Sequence, residues 1–350
     1  MESFEDTSLN FDKKQAGGIL LEDEPKEADF ENLDSISYPN LLRKIEEEIM
    51  SLREEREGDD EDYRAKILSG KEKFLGKLTD PNRIHLTSLL FGVEELILRD
   101  KATRKNGERD KDVRIENAKF QQEMAFFIKN NENNFILLED YWDLYDDLFK
   151  VEKNKTIVRG ETLKHGVLAP IALRNILDNK YNRDKSGKKN RMDFTYSAPK
   201  DDVEKSIDMI AIDKEDKINM LIQVKGDAMN RKELEGMVKL KVKTIDNGKI
   251  NGSEEEKDLI YIIPENKFSR LDTSIEDEKI NEFSGGCAAY MDENGKIMKE
   301  GGFKTLGIYI YVPSMIDGER WIEINGQPHP KLAKLISDLL DMKLAGIAKK

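Results

Sequence analysis

The chain has 350 residues, with 58 basic and 71 acidic side chains and a formal net charge of −13. Its hydrophobic content of 38% can supply buried cores for roughly two domains, which excludes collagen-like, low-complexity and disulfide-scaffold proteins. The single cysteine, Cys287, cannot form an intramolecular disulfide or a thiolate zinc site, and the three histidines are scattered. A bound metal would therefore be held mainly by oxygen ligands.

The amino-terminal segment is acidic and polar. It lacks a basic region followed by an apolar run, and no stretch of the chain approaches ~18 uninterrupted apolar residues, so we expect a cytoplasmic protein without a membrane partner. Residues 1–35 carry 11 acidic against 3 basic side chains and few large apolar ones, which predicts a flexible acidic tail. This tail either solubilises the protein or imitates nucleic acid and occupies a basic groove until it is displaced.

Residues 36–153 have the pattern of an all-α domain. Apolar residues recur at three- and four-residue steps in four segments, namely 41–52, 85–98, 113–129 and 135–151. Glycine and asparagine residues mark the breaks between them. We expect four or five helices, in which the aromatic residues form a core and His85 has a packing role.

Residues 156–350 have the pattern of an α/β domain. A helix is predicted over 163–177, an amphipathic helix over 232–245 and a final helix over 330–345. Segments rich in β-forming residues lie at 192–198, 206–213, 218–225, 259–263 and 306–312. This order predicts a mixed central sheet with helices on both faces. The glycines at 285–286 and 301–302 are interpreted as turns.

Three polar residues on consecutive strands are predicted to share one face of the sheet. If the loop between Asp213 and Ile218 closes a hairpin that pairs these two residues, Asp208 lies opposite Gln223. Side chains alternate along a strand, so Lys225 returns to the face of Gln223. A carboxylate, an amide and an ammonium group on otherwise apolar strands are costly to desolvate unless they bind something.

A divalent cation and a phosphodiester would use these groups. Asp208 and the side-chain oxygen of Gln223 are hard-oxygen ligands suited to Mg²⁺ or Mn²⁺, and the main-chain carbonyl of Val224 could supply a third. Lys225 would orient the attacking water and offset negative charge on the reacting phosphate. The alternative is a sheet edge on which Asp208 and Lys225 form an ion pair and Gln223 faces solvent.

A resemblance to the PD-(D/E)xK nuclease superfamily rests on Ile207-Asp208 and on Leu221-Ile222-Gln223-Val224-Lys225-Gly226. The Gln-x-Lys form resembles its Mrr-like, restriction-endonuclease-like branch, and the similarity covers about residues 156–265. It implies a restriction-endonuclease-like α/β fold and metal-dependent cleavage of DNA, as in bacterial antiviral defence. Ile207 replaces the nominal proline, and Gln223 replaces the nominal acid, which removes one negative charge from the metal site.

The superfamily often carries a further acid on the helix before the first strand, and Glu161 matches it by position. The resemblance therefore implies a possible outer metal ligand at Glu161, although an acid at a helix start also complements the helix dipole. His165 lies one turn later and is most simply a surface histidine.

Basic residues are concentrated in one part of the chain. Residues 151–250 carry 22 basic against 16 acidic side chains, which is compatible with a local phosphate-binding face on an acidic protein. The residues predicted to bind nucleic acid lie in the loop before the strands and after Lys225, and they are Arg183, Lys185, Lys188, Lys189, Arg191, Lys232 and Lys239. The alternative is that these lysines belong to solvated segments.

The leading hypothesis is a Mg²⁺-dependent endonuclease that hydrolyses phosphodiester bonds of DNA. Its helical domain would bind a partner, a second subunit or the target DNA. A second hypothesis is a catalytically silent binding protein that keeps the nuclease fold, which the amide at Gln223 favours. A third is a structure-selective resolvase or repair nuclease.

Overall fold

The computed structural model describes residues 32–56, 60–103, 111–150, 160–182, 191–243, 258–264 and 275–347. Most of the predicted acidic tail lies outside these residues. Its last four positions belong to the folded region instead of the tail. Leu33 is buried, and Asp34 accepts hydrogen bonds from the backbone and the hydroxyl of Thr79. The Arg83 guanidinium donates to the Leu33 carbonyl, which fixes this turn against the helices.

Five helices occupy the described residues up to 150, as the apolar spacing predicts. They span Tyr38–Glu54 (α1), Asp60–Leu75 (α2), Pro81–Thr103 (α3), Lys111–Asn130 (α4) and Phe135–Lys150 (α5). Helix α1 shows why these segments are helical. Its residues Leu41, Ile45 and Ile49 are buried on one face, and Ser37 caps its first turn. Trp142 is also buried, so the aromatic stripe of α5 is core, as expected.

A mixed sheet forms the second part of the described chain. Its strands are Met192–Tyr196 (β1), Met209–Asp213 (β2), Ile218–Met229 (β3), Met237–Lys243 (β4), Asp258–Pro264 (β5), Lys304–Ile316 (β6) and Glu319–Arg320 (β7). Strands β1, β2 and β3 form an antiparallel meander, β3 and β5 run parallel to β6, and the order is β1-β2-β3-β6-β5-β4 with β7 beside β6. The predicted register is confirmed, since Asp213 pairs with Ile218.

Helices cover both faces of this sheet, as predicted. They span Gly160–Tyr181 (α6), Pro199–Lys205 (α7), Arg231–Glu235 (α8), Ile275–Glu300 (α9) and Pro330–Ile347 (α10). Helix α6 packs against one face so closely that a Cβ at Gly226 would lie 2.2 Å from the His165 carbonyl oxygen. Helix α9 covers the other face, where Phe283 packs on Tyr309 with 5.8 Å between ring centroids.

The helix predicted over 232–245 is wrong. The part of this range that the structure describes forms most of the short helix α8, which begins with a capping box of Asn230 and Glu233, and then strand β4. Strand β4 pairs antiparallel with β5 at the edge of the sheet. Lysines alternate with apolar residues over 238–243, which is the period of a strand and a common composition for an exposed edge.

The turn predicted at glycines 285–286 is also wrong, because both residues lie inside α9. Their role is packing. A Cβ at Gly286 would lie 1.8 Å from the Lys205 carbonyl oxygen, so α9 contacts the end of α7 backbone to backbone. The turn predicted at 301–302 is confirmed, and Gly302 adopts the positive φ of 74° that this turn requires.

The helical region and the sheet share one hydrophobic core. The indole nitrogen of Trp142 in α5 donates to the Ile324 carbonyl at 3.0 Å, and the Asn175 amide donates to the Gly326 carbonyl at 3.1 Å. The predicted domain boundary near 153–156 falls outside the described residues. Within the described part of the chain, no helix combines the length and the apolar character needed to cross a membrane.

The contact of α9 with α7 can be tested at two adjacent glycines. Gly286→Ala is expected to lower the free energy of unfolding by about 1–3 kcal/mol, because the added methyl group collides with the Lys205 carbonyl. Gly285→Ala is the matched control, since open space surrounds that position, and it should raise stability by about 0.5–1 kcal/mol. Urea denaturation measures both, and equal effects would contradict the backbone contact.

Candidate active site

The β2–β3 hairpin brings Asp208 and Gln223 together at the end opposite its turn. Oδ2 of Asp208 accepts hydrogen bonds from Nε2 of Gln223 at 2.7 Å and from the backbone nitrogen of Val224 at 2.6 Å. The backbone nitrogen of Asp208 donates to the Ile222 carbonyl at 2.9 Å, so strand pairing continues to this residue. The carboxylate is therefore fixed against β3 by both main-chain and side-chain contacts.

Lys225 lies two residues beyond Gln223 on the same face of β3. Its ammonium nitrogen is 5.9 Å from the centroid of the Tyr309 ring. Tyr309 lies on the same face of the sheet, because it pairs with Gln223 across β3 and β6. Burial raises the pKa of Asp208, and the positive charge of Lys225 acts in the opposite direction. The structure thus brings together the three residues that the sequence grouped.

The side-chain oxygen of Gln223 is a buried acceptor without a donor. The residue is 4% exposed, and no hydrogen-bond donor of the described chain reaches Oε1. Leaving a buried polar atom unsatisfied costs about 1–3 kcal/mol. An atom of this kind beside a carboxylate is suited to a cation or an ordered water.

The structure adds a second carboxyl group, Asp202, which sequence reasoning missed. Asp202 lies on α7, and its side chain forms a hydrogen bond with that of Asp208. Burial and then the negative charge of Asp208 raise the pKa of Asp202 to about 8, while Lys225 and Arg114 act in the opposite direction. The raised pKa favours Asp202 as the donor and Asp208 as the acceptor in this hydrogen bond. Its sequence signal is weak, because acids are ordinary in the first turn of a helix.

Both carboxyl groups lie at the floor of a narrow cleft. Its walls come from α4, α6 and the end of β1, and they comprise Ala118, Gln121, Gln122, Ala125, Gly166, Val167, Pro170 and Tyr196. The cavity volume of this cleft is about 30 Å³, which is room for one or two water molecules. The helical region thus forms one wall of the candidate site.

The donor set fits a hard divalent cation. It comprises the carboxyl groups of Asp202 and Asp208, Oε1 of Gln223 and the main-chain carbonyl of Val224. The Val224 carbonyl faces Asp208, because the N–H of the same residue donates to Asp208 and both groups point to the same side of the strand. The described residues contain no group of three or more His, Cys, Asp or Glu side chains arranged to hold a metal. Carboxyl and neutral oxygen atoms are ligands of the kind that Mg²⁺ and Mn²⁺ use, whereas zinc sites are built mainly from His and Cys.

Glu161 and His165 lie on the first turns of α6. Glu161 is exposed, and in the described structure it forms no hydrogen bond or ion pair with Asp208 or Lys225. His165 is half-buried, and its Nδ1 shares a hydrogen bond with Oγ of Ser314, so it is not the surface residue that the sequence indicates. Burial lowers the pKa of His165, and the charge of Glu161 opposes this effect.

Four of the predicted nucleic-acid-binding residues lie outside the described residues, and they are Arg183, Lys185, Lys188 and Lys189. Arg191 is described, and its guanidinium holds the turn of the β2–β3 hairpin. Its Nε donates to both carboxylate oxygens of Asp213, at 3.0 and 2.9 Å, and the guanidinium also pairs with Asp216. This turn is about 17 Å along the strand from Asp208. Arg191 therefore has a structural role away from the cluster.

Lys232 and Lys239 follow the end of β3 that carries Lys225. Lys232 is exposed on α8, where its charge is accessible to an anionic ligand. Lys239 lies on the edge strand β4 instead of on a helix. Arg114, on α4, is a further positive group near the cleft, because its charge acts on Asp202. Sequence reasoning did not single out this arginine.

The fold and the site define a mixed α/β protein with a carboxylate, an amide and an ammonium group clustered on a β-hairpin. Comparisons of the chain with protein-family models, with curated proteins and with solved structures found no match. Its function must therefore be argued from the chemistry of the cluster.

The paired carboxyl groups predict a pH-dependent stability. Folding raises the pKa of Asp202 from about 3.9 in the unfolded chain to about 8. The carboxyl group therefore stabilises the folded state fully below about pH 3.9, and this contribution is lost as the pH rises through about 8. Asp202→Asn keeps a donor for Asp208 and cannot ionise. In metal-free protein, it should therefore raise the free energy of unfolding near pH 9 by a few kcal/mol, since one pH unit of pKa displacement corresponds to about 1.4 kcal/mol.

Thermal unfolding in EDTA between about pH 4 and pH 9 measures this difference. Asp292→Asn, at an exposed position of α9, is the control and should follow the wild-type profile. Parallel profiles for the wild type and Asp202→Asn would contradict a protonated Asp202 in the folded protein.

Proposed function

We propose that this chain is a divalent-metal-dependent endonuclease that hydrolyses phosphodiester bonds, with DNA as the substrate. The observation that carries the proposal is the contact of Asp208 with Gln223 beside Lys225. A second carboxyl group at Asp202 and the unsatisfied Oε1 of Gln223 complete a set of oxygen atoms that a purely structural cluster does not need.

Asp202, Asp208, Gln223 and the Val224 carbonyl would hold Mg²⁺ or Mn²⁺, which when bound supplies Lewis acidity and a water of lowered pKa. The protein prepares Asp208 for this role, because the Val224 N–H and the Gln223 amide fix its orientation. Asp202 must release its proton before its carboxylate can act as a ligand.

Lys225 would position the attacking water and offset the negative charge that develops on the phosphate. Its half-buried place beside Tyr309 favours this role, since a fixed charge acts more strongly where water is partly excluded. Arg114 and Lys232 are positive groups suited to the flanking phosphates. Local charge of this kind can attract a polyanion to a protein of net charge −13.

The order of elements supports a restriction-endonuclease-like fold as part of the proposal. Helix α6, the meander β1-β2-β3, helix α9 and the parallel strand β6 follow the helix-strand-strand-strand-helix-strand order of the PD-(D/E)xK superfamily. The β4–β5 hairpin is an insertion between β3 and α9. This arrangement is consistent with the resemblance of the Gln-x-Lys motif.

One observation favours a second candidate, a catalytically silent binding protein that keeps this fold. Gln223 is neutral, and the described residues offer two carboxylates at the cluster rather than three acidic ligands. A site with less negative charge binds Mg²⁺ more weakly. The choice between the candidates therefore depends on metal binding and on cleavage.

Cleavage is tested on linear duplex, single-stranded and branched DNA and on RNA, with Mg²⁺, Mn²⁺ or EDTA. The full chain should cleave DNA in the presence of Mg²⁺ or Mn²⁺ but not in EDTA. Asp208→Asn and Lys225→Met should each lower the cleavage rate about 100-fold or more. Lys331→Met, at an exposed position of α10, is the matched control. Undiminished cleavage by both site variants, shown to be folded by circular dichroism, would exclude the proposed site. Preference for branched DNA would identify a resolvase.

Metal binding is tested by calorimetric titration with Mn²⁺. Gln223→Glu should tighten binding about tenfold, because it restores a negative charge to the donor set. Gln223→Leu and Asp208→Asn should abolish saturable binding, since each removes an oxygen ligand. Binding by Gln223→Glu but not by the wild type would favour the silent protein, and absence of binding in all four proteins would disprove the metal site.

A further inference from the structure

The ammonium group of Lys225 is charged, partly buried and held by few contacts. Lys225 is half-buried on β3, and its ammonium forms no ion pair or hydrogen bond with any residue that the structure describes. Its charge acts on Asp202 and Asp208 without pairing with either. A lysine side chain has a flexible four-carbon stem, so further contacts must restrict the ammonium if it is to orient a water.

The ring of Tyr309 provides such a contact. The ammonium nitrogen of Lys225 lies over this ring, 5.9 Å from its centroid, which is within the range of a cation–π interaction. Tyr309 is fully buried on β6, between β3 and β5, and it pairs with Gln223. Phe283 of α9 packs on the ring with 5.8 Å between centroids. The ring is therefore fixed by the sheet and by α9, whereas the lysine stem is flexible.

A second lysine beside an aromatic ring shows a different arrangement. The ammonium of Lys205 lies 5.8 Å from the centroid of the Tyr290 ring, but it also pairs with Asp201 and Glu293. These carboxylates neutralise Lys205, as expected for a lysine that joins α7 to α9. Lys225 has the ring contact without a paired carboxylate among the described residues, so its charge stays available to a bound anion.

We propose that Tyr309 is a positioning residue for Lys225, and that the face of its ring, rather than its hydroxyl group, holds the ammonium at the candidate active site. The inference rests on the proposed function, because Lys225 must act on a bound phosphodiester for its position to matter. An aromatic ring attracts a cation without carrying a negative charge. It therefore restrains the ammonium without competing with the phosphate for it, as a carboxylate would.

Cleavage of DNA by the full chain with Mg²⁺ tests the role of the ring. Tyr309→Leu should lower kcat about tenfold and leave KM within about twofold, because the ring acts through Lys225 and does not contact the substrate. Tyr309→Phe keeps the ring face and should restore kcat to within about threefold of the wild type. Tyr141→Leu removes an equally buried ring from α5 and is the control for general destabilisation. Circular dichroism and Mn²⁺ titration check the fold and the donor set.

A double-mutant cycle shows whether the ring acts through Lys225. In a chain that carries Lys225→Met, Tyr309→Leu should not lower the single-turnover rate further, since no ammonium remains to be positioned. A further loss of about tenfold in the double variant would overturn the proposal, because the ring would then act on the fold or on another group. A loss in Tyr309→Phe as large as that in Tyr309→Leu would also overturn it, because the hydroxyl would then be the acting group.

Nuclear magnetic resonance measures the contact without any cleavage. The lysines are dimethylated with isotopically labelled formaldehyde, and the signal that is absent from Lys225→Met belongs to Lys225. The ring current of Tyr309 should shift this signal upfield from those of exposed lysines in the wild type. Tyr309→Phe should keep the shift and Tyr309→Leu should abolish it. The wild-type shift tests the contact even if Tyr309→Leu does not fold.

The two measurements separate the positioning role from the proposed function. An unshifted Lys225 signal in a chain that cleaves DNA would overturn the positioning role and leave the nuclease assignment standing. A shifted signal in a chain that cleaves no form of nucleic acid would overturn the nuclease assignment, and with it any role of Tyr309 in catalysis.

Discussion

The hydrogen bonds of Asp208 to β3 are the interaction on which the rest of the site depends. They join the start of β2 to Val224 and Gln223 at the point where the hairpin ladder ends. A buried carboxylate is expensive to desolvate, and hydrogen bonds to a charged group return about 1.5–3 kcal/mol each. Lys225 supplies the opposite charge. The hairpin can therefore keep a charged group that an apolar sheet would otherwise exclude.

The second carboxyl group depends on a different set of contacts, which hold α7 in place. Helix α9 reaches the Lys205 carbonyl because Gly286 has no side chain, and the Lys205 ammonium, buried at the end of α7, pairs with Glu293 of α9 and with Asp201. The position of Asp202 is thus fixed from both sides, by α9 at one end of α7 and by α4 above it. The site is assembled by elements far apart in the chain around one local hairpin.

The contrast between local contacts and contacts of distant elements explains how much of the fold and of the site could be predicted from the sequence. Helices α1, α3 to α6 and α10 follow from the apolar period, whereas α7 and α9 were not predicted. The contact of Asp208 with Gln223 follows from a short loop that fixes the register of the hairpin, because this pairing is local. The role of Asp202 could not be predicted, since it requires the position of α7 against two distant helices. Residues 237–243 lie in the stretch 232–245 whose amphipathic pattern predicts a helix, and pairing with β5 makes them a strand instead.

Two buried polar clusters of the described residues differ in how their charges are balanced. In the helical region, Arg53 pairs with Glu94 and donates to the Leu148 carbonyl at 2.8 Å, while Tyr63 donates to Glu94 at 3.0 Å. There, opposite charges balance and each carboxylate oxygen has a donor.

The hairpin cluster differs in its charges, because it sets two carboxyl groups against each other. Natural chains keep such locally unfavourable arrangements where activity requires them, since apolar replacements of similar volume would stabilise the same fold. A cation bound between these oxygens, as proposed, would offset this cost, because a ligand that binds the folded state stabilises it.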